Sequence, residues 1–307
     1  MPTQNVHLRR ATANTLSINN SLTVKGTCTV EGSLSAEGEL SVSAPTNVNR
    51  SAKTSNRYYL DEYFVQRPGL NANIDQASTV EVQRALNRNF EALGTNMTTA
   101  LCTFDTTRAG ITIKTAGADA DQAIILPHLD TDASAWAGVL WGTENSSEWE
   151  CAISTNAIDN QKVWAGLKLT MDQLVATDAD QAFFKFQTDA TNSEAFTDFT
   201  KLHFVHSIGG TDYISQLPIT VAADTTYHLK IKIDSSRKAS IFVDGIQYNV
   251  TTTAGSTLGT AVTAGTTPTA ALTDNVDFIP YIGIEAGAAA AEGLDVHYQC
   301  INRIIFE

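Results

Sequence analysis

Glu148-Trp-Glu150 places two carboxylates two residues apart, with Glu144 just upstream. On a strand, positions two apart share a face. Two carboxylates facing one cleft are what glycoside hydrolysis requires. A solvated strand face beside a tryptophan is the plainer reading of the same residues. His203 and His206 are three apart, which on a strand sends them to opposite faces, so they do not share a metal. Asp119-Ala-Asp121-Gln-Ala and Asp178-Ala-Asp180-Gln-Ala repeat a word. Each Asp pair could place oxygens on one calcium, but Asp also favours turns that precede strands. Trp136, Trp141, Trp149 and Trp164 offer faces to a sugar ring or fill a sandwich core. Trp141-Gly-Thr-Glu144-Asn145 ends a strand in a polar loop, so Trp141, Glu144 and Asn145 are the best glycan contact. There is no G-x-S-x-G, P-loop, dinucleotide glycine signature or H-E-x-x-H. The expectation is a chain with no catalytic residues, no cofactor and no metal.

The elements that position these residues are strands. Tyr227, Leu229, Ile231 and Ile233 alternate with His228, Lys230, Lys232 and Asp234, the pattern of a half-buried antiparallel strand. Ser235-Ser-Arg-Lys238 turns the chain, and Ile241 and Val243 resume the alternation. Asp244-Gly245 is a two-residue hairpin signal, after which Ile246, Tyr248 and Val250 run back. Further strands are expected at 111–114, 123–127, 136–142, 148–154, 163–169, 182–187, 201–207, 278–285 and 295–306. Many strands separated by turns predict a sandwich or jelly roll. Residues 251–274 are mostly Thr, Ala and Gly and too long for a hairpin loop. Both a free flap and a clasp onto an adjacent subunit fit them.

Tyr227-His-Leu-Lys-Ile-Lys-Ile followed by Ala239-Ser-Ile-Phe-Val-Asp-Gly-Ile resembles the hairpin of concanavalin-A-like (laminin-G-like) jelly rolls. Val296-His-Tyr-Gln-Cys-Ile-Asn-Arg-Ile-Ile-Phe306 stands where that family's closing strand ends the domain. The resemblance implies glycan binding, glycan hydrolysis or plain protein contact, and a fold alone does not choose among these. The hydrolytic members use a Glu-x-Asp-x-Glu run, which this chain lacks.

Upstream, 44–77 is polar with one aromatic cluster, Tyr58, Tyr59, Tyr63 and Phe64, beside Arg57 and Arg67. Packing inside an assembly and docking on a larger one both suit such a cluster. Ser78-Thr-Val-Glu81 reads as a capping box and Gly94 as a helix terminus, which predicts a helix over about 79–93. Val82, Leu86, Phe90 and Leu93 then share one stripe. A helix of that length must bury the stripe, around a trimer axis or against the sandwich.

The N-terminus repeats every six residues. Leu16-Ser-Ile18, Leu22-Thr-Val24, Cys28-Thr-Val30, Leu34-Ser-Ala36 and Leu40-Ser-Val42 recur, with Gly26, Gly32 and Gly38 in the same place of three successive units. Within a unit the apolar positions alternate as on a strand with one buried side. A single-chain solenoid needs more coils than these units supply. Three chains winding together bury the Leu/Val stripe on a common axis, in a shaft of roughly 24 Å. Strings such as Leu22-Thr-Val-Lys-Gly-Thr27 resemble the stalk repeats of trimeric fibre and spike proteins of bacteriophages. Cys28 and Ala36 depart from the pattern by shrinking the core.

The 307 residues carry 20 Lys+Arg against 33 Asp+Glu, a net charge of -13. Residues 1–100 hold 9 basic and 8 acidic side chains, and the remainder 11 and 25. That balance excludes a broad nucleic-acid footprint. No stretch is apolar enough to span a bilayer, and the first residues do not read as a secretory signal. Cys28, Cys102, Cys151 and Cys300 form no C-x-x-C and read as free thiols of a protein made in a bacterial cytoplasm. Taken with the resemblances, the sequence predicts a mostly β protein with an attachment segment at 1–14, a trimeric β-helical stalk at 15–43, a connector with its helix at 44–99, and a jelly-roll head at 100–307. The function implied is that of a structural protein on a bacteriophage virion surface, a homotrimeric capsid decoration or head fibre. Leu16, Ile18, Leu22, Val24, Cys28, Val30, Leu34, Ala36, Leu40, Val42, Val82, Leu86, Phe90 and Leu93 would form its seam. Arg9, Arg10, Tyr58, Tyr59, Tyr63 and Phe64 would dock on the particle. Its partners would be itself, capsid or tail proteins and a host surface glycan, with neither nucleic acid nor membrane. The alternatives are a glycan-binding tail fibre and, from another class, a glycan-cleaving enzyme that would use Glu148 or Glu150.

Overall fold

The computed structural model describes residues 56–72, 90–127, 129–131, 134–135, 140–170, 175–188, 196–255 and 259–305. The stalk, the attachment segment, Trp136, Val82 and Leu86 lie outside them. In chain order the strands are β1 (Arg57–Glu62), β2 (Gly69–Asn71), β3 (Phe90–Gly94), β4 (Cys102–Phe104), β5 (Ile111–Lys114), β6 (Gln122–Pro127), β7 (Leu129–Thr131), β8 (Ser134–Ala135), β9 (Trp141–Gly142) and β10 (Glu148–Thr155). They continue as β11 (Gln161–Lys168), β12 (Gln181–Gln187), β13 (Lys201–Ile208), β14 (Thr211–Thr220), β15 (Tyr227–Ile233), β16 (Ala239–Val243), β17 (Ile246–Tyr248), β18 (Thr260–Ala261), β19 (Asp277–Ala286) and β20 (Gly293–Ile304).

Two large sheets face each other. One is ordered β17-β16-β15-β10-β20-β5-β4, with β1 also on β20, and the other β18-β14-β13-β12-β11-β19-β6-β3-β2, with β9 on β19. This is the expected β-sandwich. The expected strands fall within a few residues of their places, except 136–142, of which 136–139 lie outside the described residues and only Trp141–Gly142 is a strand; Asp244 and Gly245 both adopt positive φ, as the two-residue hairpin demands. The core lies between the sheets. Trp149, Leu229, Ile231 and Ile241 come from the eight-stranded sheet, and Ala165, Phe184, Phe204 and Ile282 from the ten-stranded one, all buried. Phe184 and Phe204 meet across neighbouring strands with ring centroids 5.4 Å apart.

The expected helix is corrected at its C-terminal end. Phe90–Gly94 is β3, parallel to β2 and antiparallel to β6, and buried at every position. The helical spacing of Phe90 and Leu93 gives way to strand geometry, because β6 offers a partner with every backbone group in register. Leu93 faces away from the inter-sheet core, opposite Ile124, while Phe90 points inward onto Phe64, centroids 5.8 Å apart. Gly94 serves close approach rather than a helix end: a Cβ there would stand 2.7 Å from the Gln122 carbonyl oxygen. Only 3-10 turns, at Thr143–Asn145 and Val175–Thr177, are helical among the described residues. The segment expected as a connector also supplies β1, which pairs with β20 along its whole length.

The Thr/Ala/Gly segment of 251–274 seals an edge of the sandwich. β18 adds a parallel strand beside β14. Farther on, the Thr263 and Thr267 carbonyls accept from Asn249 and Val250, and Leu272 donates to the Arg237 carbonyl. One segment thus covers the exposed ends of both sheets, where unpaired backbone groups would otherwise recruit another chain.

Candidate functional site

The residues singled out for chemistry fall into three places. Glu148 and Glu150 share the outer face of the eight-stranded sheet, as their spacing predicts, with Trp149 buried between them. Lys230 on β15 reaches both, at 3.1 and 3.5 Å, and Glu148 also meets Lys232 at 3.5 Å and Arg57 at 3.9 Å. Burial raises the Glu148 pKa, but the cations outweigh it and hold the carboxyl below its ordinary range. A carboxylate held ionised in this way is not the proton donor that glycosidic hydrolysis needs.

Trp141, Glu144 and Asn145 do not form a sugar platform. Trp141 is buried and packs on Tyr58, centroids 6.0 Å apart. The Asn145 side-chain oxygen accepts the Gly142 N–H at 3.0 Å, and Glu144 accepts from the Thr143 hydroxyl and the Asn275 N–H. Their polar groups are used in fixing a turn. Of the aromatic cluster, Phe64 is buried, Tyr58 and Tyr59 are half-buried in β1, and Tyr63 is exposed. The Asp pairs also serve local structure. Asp121 accepts the Ala118 N–H at 2.7 Å, Asp178 accepts from Leu169 and Thr170 and pairs with Lys168 at 3.7 Å, and Asp180 accepts the Gly209 N–H.

The third place is the outer face of the ten-stranded sheet. A sheet face turned away from a sandwich core is ordinarily wet, yet β11 and β12 are buried at every position. Lys162, Lys168, Gln181, Lys185 and His203 are at most 2% exposed. Lys162 pairs with Glu285 at 2.7 Å, and Gln122 donates to the same carboxylate at 2.6 Å. The register aligns Gln216, His203, Lys185 and Trp164 in one row across β14, β13, β12 and β11. The row ends at Gly283 of β19, where the missing side chain makes room for the Trp164 indole. Tyr281 stands beside Trp164, centroids 6.2 Å apart.

His203 is the most unusual member of the row. Burial pushes its pKa down to about 4, so the imidazole is neutral at pH 7. The Lys201 backbone and the Gln216 side chain lie beside the imidazole, but neither meets a ring nitrogen in good hydrogen-bond geometry, and the Trp164 Nε1 and the Gln216 Oε1 have no hydrogen-bond partner among the described residues. Phe196 covers the imidazole at 4.2 Å and stands 5.7 Å from the Lys185 ammonium. Gly259 closes the other side. His206 points the opposite way, into the core against Tyr213 and Phe204, and its pKa is pushed down to about 3 by burial. A buried neutral base beside an ammonium, an amide and an aromatic ring is a perturbed titratable group of the kind found at functional sites. Sequence reasoning set His203 aside as no metal ligand and missed Lys185 and Gln216. The signal was a lysine inside the aromatic run Ala182-Phe-Phe-Lys-Phe186.

No family model matches the chain, and no curated protein matches it. Among solved structures it is similar to a protein of unknown function from Shewanella oneidensis MR-1, at 9% identity and a TM-score of 0.45, covering 81% of this chain and 87% of that one. It is similar to the Family 7 alginate lyase A1-II′ at 11% identity and a TM-score of 0.41, covering 69% and 85%. A Bacillus licheniformis β-glucanase follows at 9% identity and 0.38, covering 66% and 82%. At these values the likeness is one of fold and assigns no substrate or residue role. The expectations of a virion structural protein and of a chain that is not an enzyme are corrected to this extent: two of the three structures are named as an alginate lyase and a β-glucanase, and none as a particle component.

Proposed function

We propose that the chain is a carbohydrate-active enzyme whose active face is the outer face of the ten-stranded sheet, and that it cleaves an acidic glycan by elimination. The observation that supports this most is the neutral His203 imidazole held in register between Lys185 and Gln216. Elimination needs no carboxylate pair. A ring nitrogen of His203 takes the proton from the carbon next to the uronate carboxylate. Lys185 and Gln216 engage that carboxylate and stabilise the charge that builds on it. The electron pair becomes the new carbon–carbon double bond as the glycosidic C–O bond breaks, and the leaving oxygen takes a proton from the imidazolium or from water. Phe196 stands over the imidazole, so substrate entry requires its ring to move.

The test is incubation with polymannuronate, polyguluronate, polygalacturonate and hyaluronan, followed by ultraviolet absorbance of the unsaturated uronate. One of these is expected to give product, and His203→Gln is expected to lower the rate by about 10²–10⁴-fold. No product from any of the four, or an unimpaired His203→Gln enzyme, refutes the reading.

A further inference from the structure

The outer face of the other sheet holds an open cleft of 340 Å³, lined by Glu150, His228, Lys230, Lys232, Phe242 and Tyr298 with Gly245 at its end. Its shape follows from the register. β10 places Ala152 opposite both Tyr298 of β20 and His228 of β15. Across the small side chain the two rings approach each other, with centroids 6.2 Å apart. Glu150 lies opposite Lys230, which lies opposite Phe242. Polar groups therefore form the middle of the cleft, and aromatic rings stand on both sides. Tyr63, 55% exposed, extends the aromatic side 6.0 Å beyond Tyr298.

The charges in and beside this cleft are paired, with Arg57 as a further cation 3.9 Å from Glu148. Glu148 and Glu150 face Lys230 and Lys232, and the ion pairs among them are 3.1 to 3.5 Å long. Burial lowers the Lys230 pKa, but Glu148 and Glu150 outweigh it and keep the ammonium charged. A charged ligand would gain nothing from a compensated set and would have to break its pairs. An uncharged ligand with hydroxyl groups could accept from Lys230 and Lys232 and donate to Glu150 while the pairs persist. If it also has an apolar face, the rings of Tyr298, Tyr63 and Phe242 are placed to stack on it.

We infer that this cleft is a second glycan site, distinct from the row around His203, and that it binds a neutral oligosaccharide. The volume lies within the range of small-molecule sites, at the small end, so one or two sugar rings are accommodated. Its role is binding.

The probes are cellotriose, laminaritriose, maltotriose and, as the charged control, a uronate trisaccharide, each titrated into the full chain while the Tyr63, Tyr298 and His228 ring resonances are followed by NMR. At least one neutral trisaccharide is expected to shift all three. Tyr298→Ala is expected to weaken binding at least tenfold, and Tyr298→Phe, which keeps the ring, to stay within about threefold. His203→Gln is expected to bind the trisaccharide as the wild type does, so this site and the active face fail independently. Unchanged melting of Tyr298→Ala separates lost binding from lost fold. The inference is overturned if none of the three neutral sugars moves these resonances, if only a uronate trisaccharide does, or if Tyr298→Ala binds undiminished.

Discussion

Lowering the pH from about 7 to about 5 should remove about 4 kcal/mol of stability, through two histidines. Native His203 and His206 have pKa values of about 4 and about 3, both pushed down by burial. An unfolded imidazole titrates near pH 6.5. Between pH 6.5 and 4 the unfolded chain therefore binds protons that the folded chain refuses, so stability is full above 6.5 and falls as the pH falls. At pH 5 each unfolded imidazole is almost fully charged and each native one almost uncharged, which costs about 2 kcal/mol per residue. Glu148, Asp105 and Glu144 have lowered pKa values, so their contributions are lost only at lower pH. Asp277 and Glu292 oppose the trend, because burial, with a neighbouring carboxylate, raises their pKa values. The assay is urea unfolding followed by tryptophan fluorescence at both pH values. His206→Phe keeps a ring between Phe204 and Tyr213, and it should halve the pH dependence. His203→Gln should do the same, and the double variant should nearly abolish it. A wild type that loses less than about 1 kcal/mol over this interval refutes the reasoning, because the histidines would then not have depressed pKa values.

Two further outcomes are expected. Glu285→Gln removes the carboxylate that pairs with the buried Lys162 ammonium and should destabilise the fold by about 3–5 kcal/mol, whereas Lys162→Met with Glu285→Leu should recover most of that loss in the same unfolding assay. Gly94→Ala should cost about 1–3 kcal/mol by thermal melting, because the new Cβ meets the Gln122 carbonyl and the Met97 methyl at 2.7 and 2.8 Å. If Gly94 ended a helix at a left-handed position, the Gln122 contact would be absent and the cost would be smaller.

The strand most legible by alternation was one with a wet face. β15 alternates because His228, Lys230 and Lys232 face outward while Leu229, Ile231 and Ile233 face the core. Asp244-Gly245 marked its hairpin through a backbone requirement that few other residues meet. β3 was misread because Phe90-Glu-Ala-Leu-Gly is short, apolar and without alternation, which helical spacing fits as well as a doubly buried strand. Parallel pairing with β2 is a tertiary fact, and five residues do not announce it. The site was hidden for a related reason. Trp164, Lys185, His203 and Gln216 come from four strands, and only the register joins them. Glu148-Trp-Glu150, contiguous in sequence, drew attention to carboxylates that the fold places between cations. The tryptophan of Trp141-Gly-Thr-Glu-Asn145 turned out to be core because β9 pairs with β19 and Tyr58 covers the indole.

The central claim is that the row around His203 meets substrate. Histidine-selective nitrogen NMR tests it directly, in a titration of the full chain with an oligouronate at neutral pH. The account predicts that the His203 ring nitrogens begin as a neutral imidazole and shift on saturation, while those of His206, on the opposite face of the same strand, stay in place. His203 resonances that do not move while the ligand binds would contradict it, as would a ring that is already protonated.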